Sequence, residues 1–314
     1  MCIPATHNLS LTRIRRERTL PLPGTVLVEA GQPVMATDVI AETGLTNPHI
    51  LVDVCQVLGV TARQVSALLR VKTQDIVQRG EILAGPVGFP PRQARAPQSG
   101  KVIYVHNGQV VLEAQRPPYQ LLAGLDGQVT RVLPGRGAVI ESTGALIQGI
   151  WGNGRLARGL LTIPGDGPAA ELSGDYADNS LQGVILAAGT VRQVEVFRAF
   201  KKAGAAGLIL GSLPGSLVPL AAQADIPIVI LDGFGKLPIN PLAYRILSEN
   251  AGREVVVNAI SWDRQNDLRP EVVISLPSEN PVLPVEKALI LRPDQDLRVT
   301  SAVSQGQVGK LIAL

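Results

Sequence analysis

Short apolar runs separated by Gly, Pro and Asp turns fill the chain from about Pro23 to Leu161. Within them, PGTVLVEAGQPVMATDVIAET has the pattern strand, turn, strand, and VKTQDIVQRGEILAG, which begins at Val71, repeats that shape. Apolar and polar positions that alternate in this way predict half-buried β-strands. The two similar stretches predict an internal duplication in a β-rich region.

A second pair of similar stretches follows. APQSGKVIYVHNGQVVLEA begins at Ala96 and LDGQVTRVLPGRGAVIESTG begins at Leu125, and both carry alternating valines around a turn. The valines of each strand are therefore expected on one face and the polar residues on the other. At the centre of the first stretch, His106-Asn107-Gly108 predicts a tight hairpin, because Asn-Gly is the strongest short hairpin signal.

Between the first two copies lie two segments with helical spacing. LVDVCQVLGV and TARQVSALLR place their apolar residues at Leu51, Val54, Cys55 and Leu58 and at Val65, Leu68 and Leu69. Gly59 is predicted to end the first helix, and Thr61 is predicted to cap the second. The pattern indicates a helical insert over residues 48–70.

The period changes from about Gly183 to Ile260. The runs GVILAAG, GLILGS and IPIVILDG predict fully buried strands, and REVVVNAI predicts a fourth. Between them, TVRQVEVFRAFKKAG, PGSLVPLAAQA and LPINPLAYRILSEN predict helices, the first capped by Thr190 and ended by Gly204, the last ended by Asn250. Strands that alternate with helices predict a parallel sheet covered by helices.

These patterns predict a multi-domain α+β protein in four segments. Residues 1–22 form an N-terminal arm, and residues 23–163 form the β-rich domain with its helical insert. Residues 164–262 form a small α/β domain with a parallel sheet. Residues 263–314 form a C-terminal β segment, because EVVISLP, KALILRP and DLRVTSAVSQGQVGKLIAL all have strand character.

Composition adds limits on the core and on the cell compartment. Hydrophobic residues make up 46% of the chain but aromatic residues only 3%, so Val, Leu, Ile and Ala must form the core. The two cysteines lie far apart and predict no disulfide framework, which favours a cytoplasmic protein. No apolar run is long enough to span a membrane. The arginines of Arg13–Arg18 predict a solvated arm or, alternatively, one that contacts phosphates or a membrane surface.

No catalytic or metal-binding constellation is evident, and we predict that the protein is not an enzyme. The three histidines, His7, His49 and His106, fall in different elements and lack metal-ligand spacing. No Gly-x-Ser-x-Gly motif occurs, and the carboxylates are scattered.

One set of residues predicts binding of a small anionic ligand. Ligands of parallel α/β sheets bind beyond the carboxyl ends of the strands, where glycines let backbone N–H groups approach an anion. The residues predicted there are Gly189, Thr190, Gly211, Ser212, Gly215, Ser216, Gly233 and Lys236. The alternative is that they form ordinary turns between strands and helices, which need glycines and caps for folding alone.

Three stretches resemble two kinds of known domain. Ala96–Ala114 resembles half of a lipoyl- or biotinyl-type domain, so residues 23–163 are expected to form a barrel-sandwich hybrid. Carriers of that type hold their cofactor on a lysine at the hairpin apex, but this apex is His106-Asn107-Gly108 and Lys101 lies at the start of the strand. No cofactor is therefore expected. AFKKAGAAGLILGS and IPIVILDGFGK are similar to protease-associated and swivelling domains, which act as lids or interaction modules.

The C-terminal DLRVTSAVSQGQVGKLIAL resembles the KOW motif of SH3-like barrels, with Gly306 and Gly309 expected at turns. Together with ESTGALIQGIWGNGRLARGLL, which begins at Glu141, the three parts resemble a bacterial family of Chloroflexi-like lineages that combines them in this order. The resemblance implies a multi-domain binding protein and no particular reaction.

The leading hypothesis is a cytoplasmic scaffold or adaptor that binds a protein partner. Gly144–Arg158 is the predicted recognition segment, because it places Ile147, Ile150 and Trp151 among glycines. Trp151 is alternatively expected to fill a seam between domains. Two other functions remain open: an RNA- or ribosome-associated factor that uses the KOW-like segment, and a sensor of a small anionic ligand. The oligomeric state is left open.

Overall fold

The structure, a computed structural model, describes residues 2–4, 7–177, 179–263, 268–277, 288–290, 293–294, 296–298 and 308–312. The chain forms two compact units. Unit 1 comprises residues 1–41 and 121–314, and unit 2 comprises residues 42–120 between them. The predicted β-rich domain over 23–163 is thus shared between the two units.

Strands far outnumber helices. The first twelve strands in chain order are β1 Cys2–Pro4, β2 Asn8–Thr19, β3 Thr25–Val26, β4 Pro33–Val34, β5 Val39–Thr43, β6 His49–Asp53, β7 Ile76–Val77, β8 Ile82–Val87, β9 Arg92–Arg95, β10 Gly100–His106, β11 Gln109–Ala114 and β12 Tyr119–Leu122. The following strands are β13 Gly127–Leu133, β14 Gly137–Gln148, β15 Trp151–Gly152, β16 Leu156–Thr162, β17 Glu171–Leu172, β18 Val184–Ala188, β19 Thr190–Val191, β20 Gly207–Leu213, β21 Ile228–Phe234, β22 Glu254–Asn258, β23 Glu271–Ser275, β24 Ala288–Ile290, β25 Asp296–Arg298 and β26 Val308–Lys310. The helices are α1 Val54–Leu58, α2 Ala62–Val65, α3 Glu195–Lys202, α4 Val218–Gln223 and α5 Pro241–Glu249, with 3-10 turns at Gly174–Tyr176, Asn179–Leu181 and Gly215–Leu217.

One mixed sheet of 11 strands runs through unit 1. Its order is β15-β21-β20-β18-β16-β22-β23-β14-β13-β4, and β2 also pairs with β14. The pairs β16–β18, β18–β20 and β20–β21 are parallel, whereas β22 and β15 pair antiparallel with their neighbours. The prediction of a β-rich fold is confirmed. The predicted strands β18, β20 and β21 pair in parallel as expected, but the fourth predicted strand, β22, pairs antiparallel with β16 and β23, so that part of the prediction is wrong.

The predicted N-terminal arm is largely a strand. β2 pairs antiparallel with β14 from Asn8, opposite Ile147, to Thr19, opposite Gly137. Arg13 and Arg15 point to solvent, but Ile14 between them is fully buried. Residues 8–19 therefore belong to the sheet, because they pair along β14 and bury Thr12 and Ile14 on the inner face.

The parallel part of the sheet is covered on both faces. Leu186, Leu208 and Ile230 pack on one face with α3 and α4, while Ile185, Ile209 and Val229 pack on the other with α5. Burial on both faces explains why these strands are uninterrupted apolar runs.

The helix ends in unit 1 agree with prediction except at one cap. Asn250 caps the end of α5, and Gly204 follows α3 with a φ of 82°. The predicted cap Thr190 is wrong, because Thr190 pairs with Glu171 in the short parallel ladder of β19 with β17. That pairing holds its backbone extended, and α3 begins only after Val194.

Unit 2 consists of the sheet β6-β11-β10-β7, the hairpin β8–β9 and two short helices. The hairpin at Asn107-Gly108 is confirmed: β10 and β11 are joined by these two residues, with φ of 48° and 77°, the conformation of a type I′ turn. Gly59 ends α1 in the left-handed region, and Thr61 begins α2 with the Gln64 side chain accepting from its N–H. The predicted helix is too long, however, since Leu51 lies in β6.

The two units contain the same β motif, as the duplication predicts. In unit 1, β4 pairs with β13 so that Val34 lies opposite Gly127; in unit 2, β7 pairs with β10 so that Val77 lies opposite Gly100. The register shift after Val129 in β13 has its counterpart after Val102 in β10.

Hydrogen bonds repeat with the same geometry. Gly31 N donates to Val129 O at 2.7 Å in unit 1, and Gln74 N donates to Val102 O at 2.7 Å in unit 2. The φ angles of Gly31 and Gln74, 86° and 83°, are also nearly equal. A left-handed glutamine is uncommon, and its position is explained by equivalence to a glycine.

The second copy is nested inside the first. The β8–β9 hairpin corresponds to β5 and β12 of the first copy, since Ala96 N donates to Glu81 O in one and Ala123 N to Asp38 O in the other. Loop 88–91 joins β8 to β9 in unit 2. At the corresponding point of the first copy, the chain instead leaves to form the whole of unit 2.

The C-terminal segment is described only in part. β24 pairs with β1, and β25 pairs with β26. Gly309 was expected at a turn, but it lies in β26 opposite Leu297, so that expectation is wrong. Gly306 lies outside the described residues.

Candidate functional site

The predicted ligand residues gather at the carboxyl ends of β18, β20 and β21. Ser212 N donates to Gly189 O at 2.9 Å, and Ser212 lies opposite Gly233 in the β20–β21 ladder. Gly215, Ser216 and Lys236 follow these strands, with Ser216 and Lys236 exposed.

The chain itself fills the space over the inner glycines. A Cβ added at Gly189 would lie 2.7 Å from Pro168 O, and one at Gly211 would lie 2.6 Å from Ile239 N. The buried Ser212 hydroxyl accepts from Leu237 N and donates to Leu237 O, both at 2.8 Å. At these residues the geometry favours the alternative of ordinary turns, which need glycine for close backbone approach.

Thr190 is the one residue of this set with an unexplained polar group. Its side chain is 6% exposed, and its Oγ1 has no hydrogen-bond partner in the described part of the chain. A buried hydroxyl without a partner is destabilising. Ligand binding at this edge stays a prediction, now centred on Thr190 and on the exposed Gly215, Ser216 and Lys236.

Thr190→Val is expected to raise the free energy of unfolding by about 1 kcal/mol, because it removes an unpaired buried hydroxyl while keeping the β-branched shape. Urea denaturation monitored by tryptophan fluorescence measures the change. The exposed Thr162 provides a control, since Thr162→Val is expected to change little. A loss of stability in Thr190→Val would contradict the prediction and would indicate that the hydroxyl makes a hydrogen bond, for example to a buried water.

The predicted recognition segment Gly144–Arg158 is strand rather than loop. Ile147 lies in β14 and is fully buried, so it is not available to a partner. Ile150 and Trp151 are half-buried against the core between the sheet and α3 and α4, and Trp151 pairs with Ile230. The environment of Trp151 therefore favours a packing role in the core of unit 1, and the expectation that it fills a seam between domains stays a prediction.

Sequence reasoning missed the most connected residue of that segment. The Asn153 amide donates to the carbonyls of Ala221 and Ile226, at 3.1 and 2.8 Å, and its carbonyl accepts from Ile228 N at 3.1 Å. Asn153 thereby fixes the end of α4 to the start of β21. The only signal was a lone Asn in a Gly-rich turn, which does not indicate its partners.

Unit 2 carries an apolar row on the outer face of its four-stranded sheet. Leu51 lies opposite Val111, and Val111 lies opposite Tyr104, so the three side chains share one face across β6, β11 and β10. Leu51 is 58% exposed and Tyr104 is 48% exposed, while Val111 is half-buried between them. We call Leu51, Val111 and Tyr104 the outer row.

Polar residues border the outer row on both sides. The neighbouring cross-strand row is Asp53, Gln109 and His106. The row on the other side contains His49, Glu113 and Lys101, and it ends with the exposed Ile76 of β7 opposite Lys101. The Tyr104 and His106 rings lie 6.0 Å apart. On the opposite face of the sheet, Val110, Leu112 and Val102 are fully buried. An exposed apolar centre with a polar border is the layout of a protein-binding surface.

Neither a metal-binding cluster in the described part of the chain nor a match to a known protein points to a function. Within the described residues, no cluster of three or more His, Cys, Asp or Glu side chains is arranged to hold a metal ion. Nor do those residues include a helix with the length and apolar character needed to cross a membrane. Comparison with protein-family models, with curated proteins and with solved structures finds no match.

Proposed function

We propose that the protein is a non-enzymatic scaffold or adaptor that binds a protein partner through the outer row of unit 2. The observation that carries the proposal is the exposure of Leu51 and Tyr104 on either side of Val111. Transfer of these apolar groups from water into the interface lowers the free energy and so favours binding. They are presented on a hydrogen-bonded sheet, so little backbone entropy is lost when the partner binds.

The border of the outer row favours a protein over a nucleic acid. It carries acidic groups, Asp53 and Glu113, as well as the basic Lys101. Protein surfaces that bind nucleic acids are instead dominated by Lys and Arg cations that neutralise phosphates. Tyr104 has a ring on which a base can stack, but Leu51 and Val111 do not.

The finer domain assignments, the family and the cellular location are also proposed. The nested β motifs support barrel-sandwich hybrids of the lipoyl and biotinyl type, without a carrier lysine. The parallel β18, β20 and β21 with their helices support a swivelling-like domain. The C-terminal segment as an SH3- or KOW-like barrel, the likeness to the bacterial family and the cytoplasmic location are proposed on sequence grounds alone.

Affinity capture from the native cell tests the outer row. The bait is the full chain, either unchanged or as the double variant Leu51→Lys and Tyr104→Lys, and the captured proteins are quantified by mass spectrometry with and without nuclease treatment. We expect at least one protein to be reduced about tenfold or more on the double variant, because buried interface anchors each contribute over 1 kcal/mol. The stability of the bait is expected to change by less than about 0.5 kcal/mol, since both side chains are exposed.

Val57→Lys is the matched control. Val57 is 46% exposed in α1 of the same unit, outside the sheet. It is expected to capture the same proteins as the unchanged chain. Equal capture by all three baits would contradict the proposal, and capture that nuclease abolishes would favour the RNA-associated alternative.

A further inference from the structure

Unit 1 has a groove of its own between α3 and α4. Its cavity volume is about 340 Å³. Val194, Phe197, Leu220 and Ala224 form its apolar part. Phe197 is only 6% exposed, which makes it the base of the groove, whereas Leu220 is 38% exposed at its side.

The wall formed by α4 is held in place. Asn153 binds the carbonyls of Ala221 and Ala224 through its amide, at 3.1 and 3.4 Å. Phe200 of α3 is fully buried in the core beneath. The groove is therefore preformed, which lowers the entropy cost of filling it.

The rim of the groove is basic. Arg198, Lys201 and Lys202 of α3 line it and are exposed. Among the described residues none of the three forms a salt bridge. The acidic residue of the lining, Asp225, lies 3.5 Å from Arg155. Three cations over an apolar base leave a surface that is complementary to an acidic amphipathic segment.

We propose that this groove binds an acidic peptide segment that carries apolar side chains on one face. The apolar side chains would cover Leu220 and fill the base, and the carboxylates would pair with Arg198, Lys201 and Lys202. The site is additional to the outer row and uses none of its residues, so the protein would join two partners, as an adaptor does.

The lining argues against other ligands. Small-molecule sites fix their ligand with a few polar groups inside the pocket, but here the polar members of the lining are exposed and the deep residues are apolar. Single-stranded nucleic acid would need an exposed aromatic ring for stacking, and Phe197, the aromatic residue of the groove, is buried.

Fluorescence anisotropy with designed peptides tests the proposal on the full chain. The first probe is a helical peptide with leucines on one face and glutamates on the other. The second replaces the glutamates with lysines, the third replaces the leucines with serines, and the fourth is a polyuridine oligonucleotide. We expect the first probe to bind about tenfold or more tightly than each of the others, and its affinity to fall as salt rises.

Variants then locate the site. The double variant Lys201→Glu and Lys202→Glu is expected to weaken the first probe at least about tenfold, and Leu220→Gln is expected to weaken it severalfold through the apolar part. The double variant Lys72→Glu and Lys310→Glu makes the same charge change at two exposed lysines outside the groove lining and is expected to stay within about twofold. All five substituted residues are exposed, so circular dichroism is expected to show unchanged folding.

Several results would overturn the groove as a peptide site. These are equal binding of the acidic and basic peptides, tighter binding of the oligonucleotide, absence of binding by the first probe, or equal loss in the Lys72→Glu and Lys310→Glu variant. The Leu51→Lys and Tyr104→Lys variant is expected to bind the first probe normally. Failure of the groove and failure of the outer row are therefore distinguishable.

Discussion

Glu271→Ala is expected to lower the free energy of unfolding of unit 1 by about 3 kcal/mol. Glu271 begins β23 and its side chain is 5% exposed; Arg16 of β2 donates to both carboxylate oxygens through Nε and Nη2. The substitution leaves the Arg16 cation without this carboxylate in a largely buried place. This expected loss is near the lower end of the range for breaking a buried ion pair, because the Arg16 side chain is 22% exposed.

A double-mutant cycle separates the charge effect from lost packing. Arg16→Leu and Glu271→Leu together are expected to cost less than Glu271→Ala alone, since no buried charge is left without its partner. The control is Glu249→Ala, which removes the exposed pair of Arg245 with Glu249 and is expected to cost less than about 0.5 kcal/mol. Urea unfolding monitored by tryptophan fluorescence reports on unit 1, because Trp151 and Trp262 both lie there. Equal losses for Glu271→Ala and Glu249→Ala would contradict the prediction.

Gly127→Ala and Gly100→Ala are expected to destabilise different units by about 2–4 kcal/mol each. A Cβ at Gly127 would lie 2.3 Å from Glu141 O, and one at Gly100 would lie 2.4 Å from Glu113 O. Both contacts are to the backbone of the paired strand, so the hairpins must separate to admit a methyl group. The two glycines occupy the same position in the nested copies, which is why the expected costs are similar.

The readouts differ because unit 2 contains no tryptophan. Gly127→Ala is expected to shift the tryptophan transition to lower urea, while Gly100→Ala leaves it unchanged and raises hydrogen exchange in residues 42–120. Gly174→Ala serves as the control, since nothing lies within 4 Å of its added Cβ. A tryptophan transition shifted equally by Gly100→Ala would show that the two units unfold together.

The fold was predictable where the pattern is local. Alternating residues around Asn107-Gly108 identify a hairpin and its turn, and uninterrupted apolar runs identify buried strands such as β18 and β21. The errors arise where a distant strand decides the outcome. Leu51 fits a helical period, but pairing with Val111 places it in a strand. Thr190 is a good cap residue, yet pairing with Glu171 keeps it extended.

The candidate site was harder to predict because its residues meet only through long-range register. Leu51, Val111 and Tyr104 come from three strands, and alternation alone does not show which face the core covers. In the same way, the glycines after β18 and within β20 suggest an open crevice. Only the path of residues 168–169 and 238–239 shows that backbone lies over Gly189 and Gly211.

The nested arrangement has a consequence for how such a chain can grow. The β8–β9 loop holds Phe89, which is fully exposed, and it occupies the point where the first copy accepts a complete guest domain. That point therefore tolerates insertions, because the two strand ends are held by their own ladder whatever segment connects them. Repeats added there would be nested in the sequence rather than tandem, each inserted within the one before it.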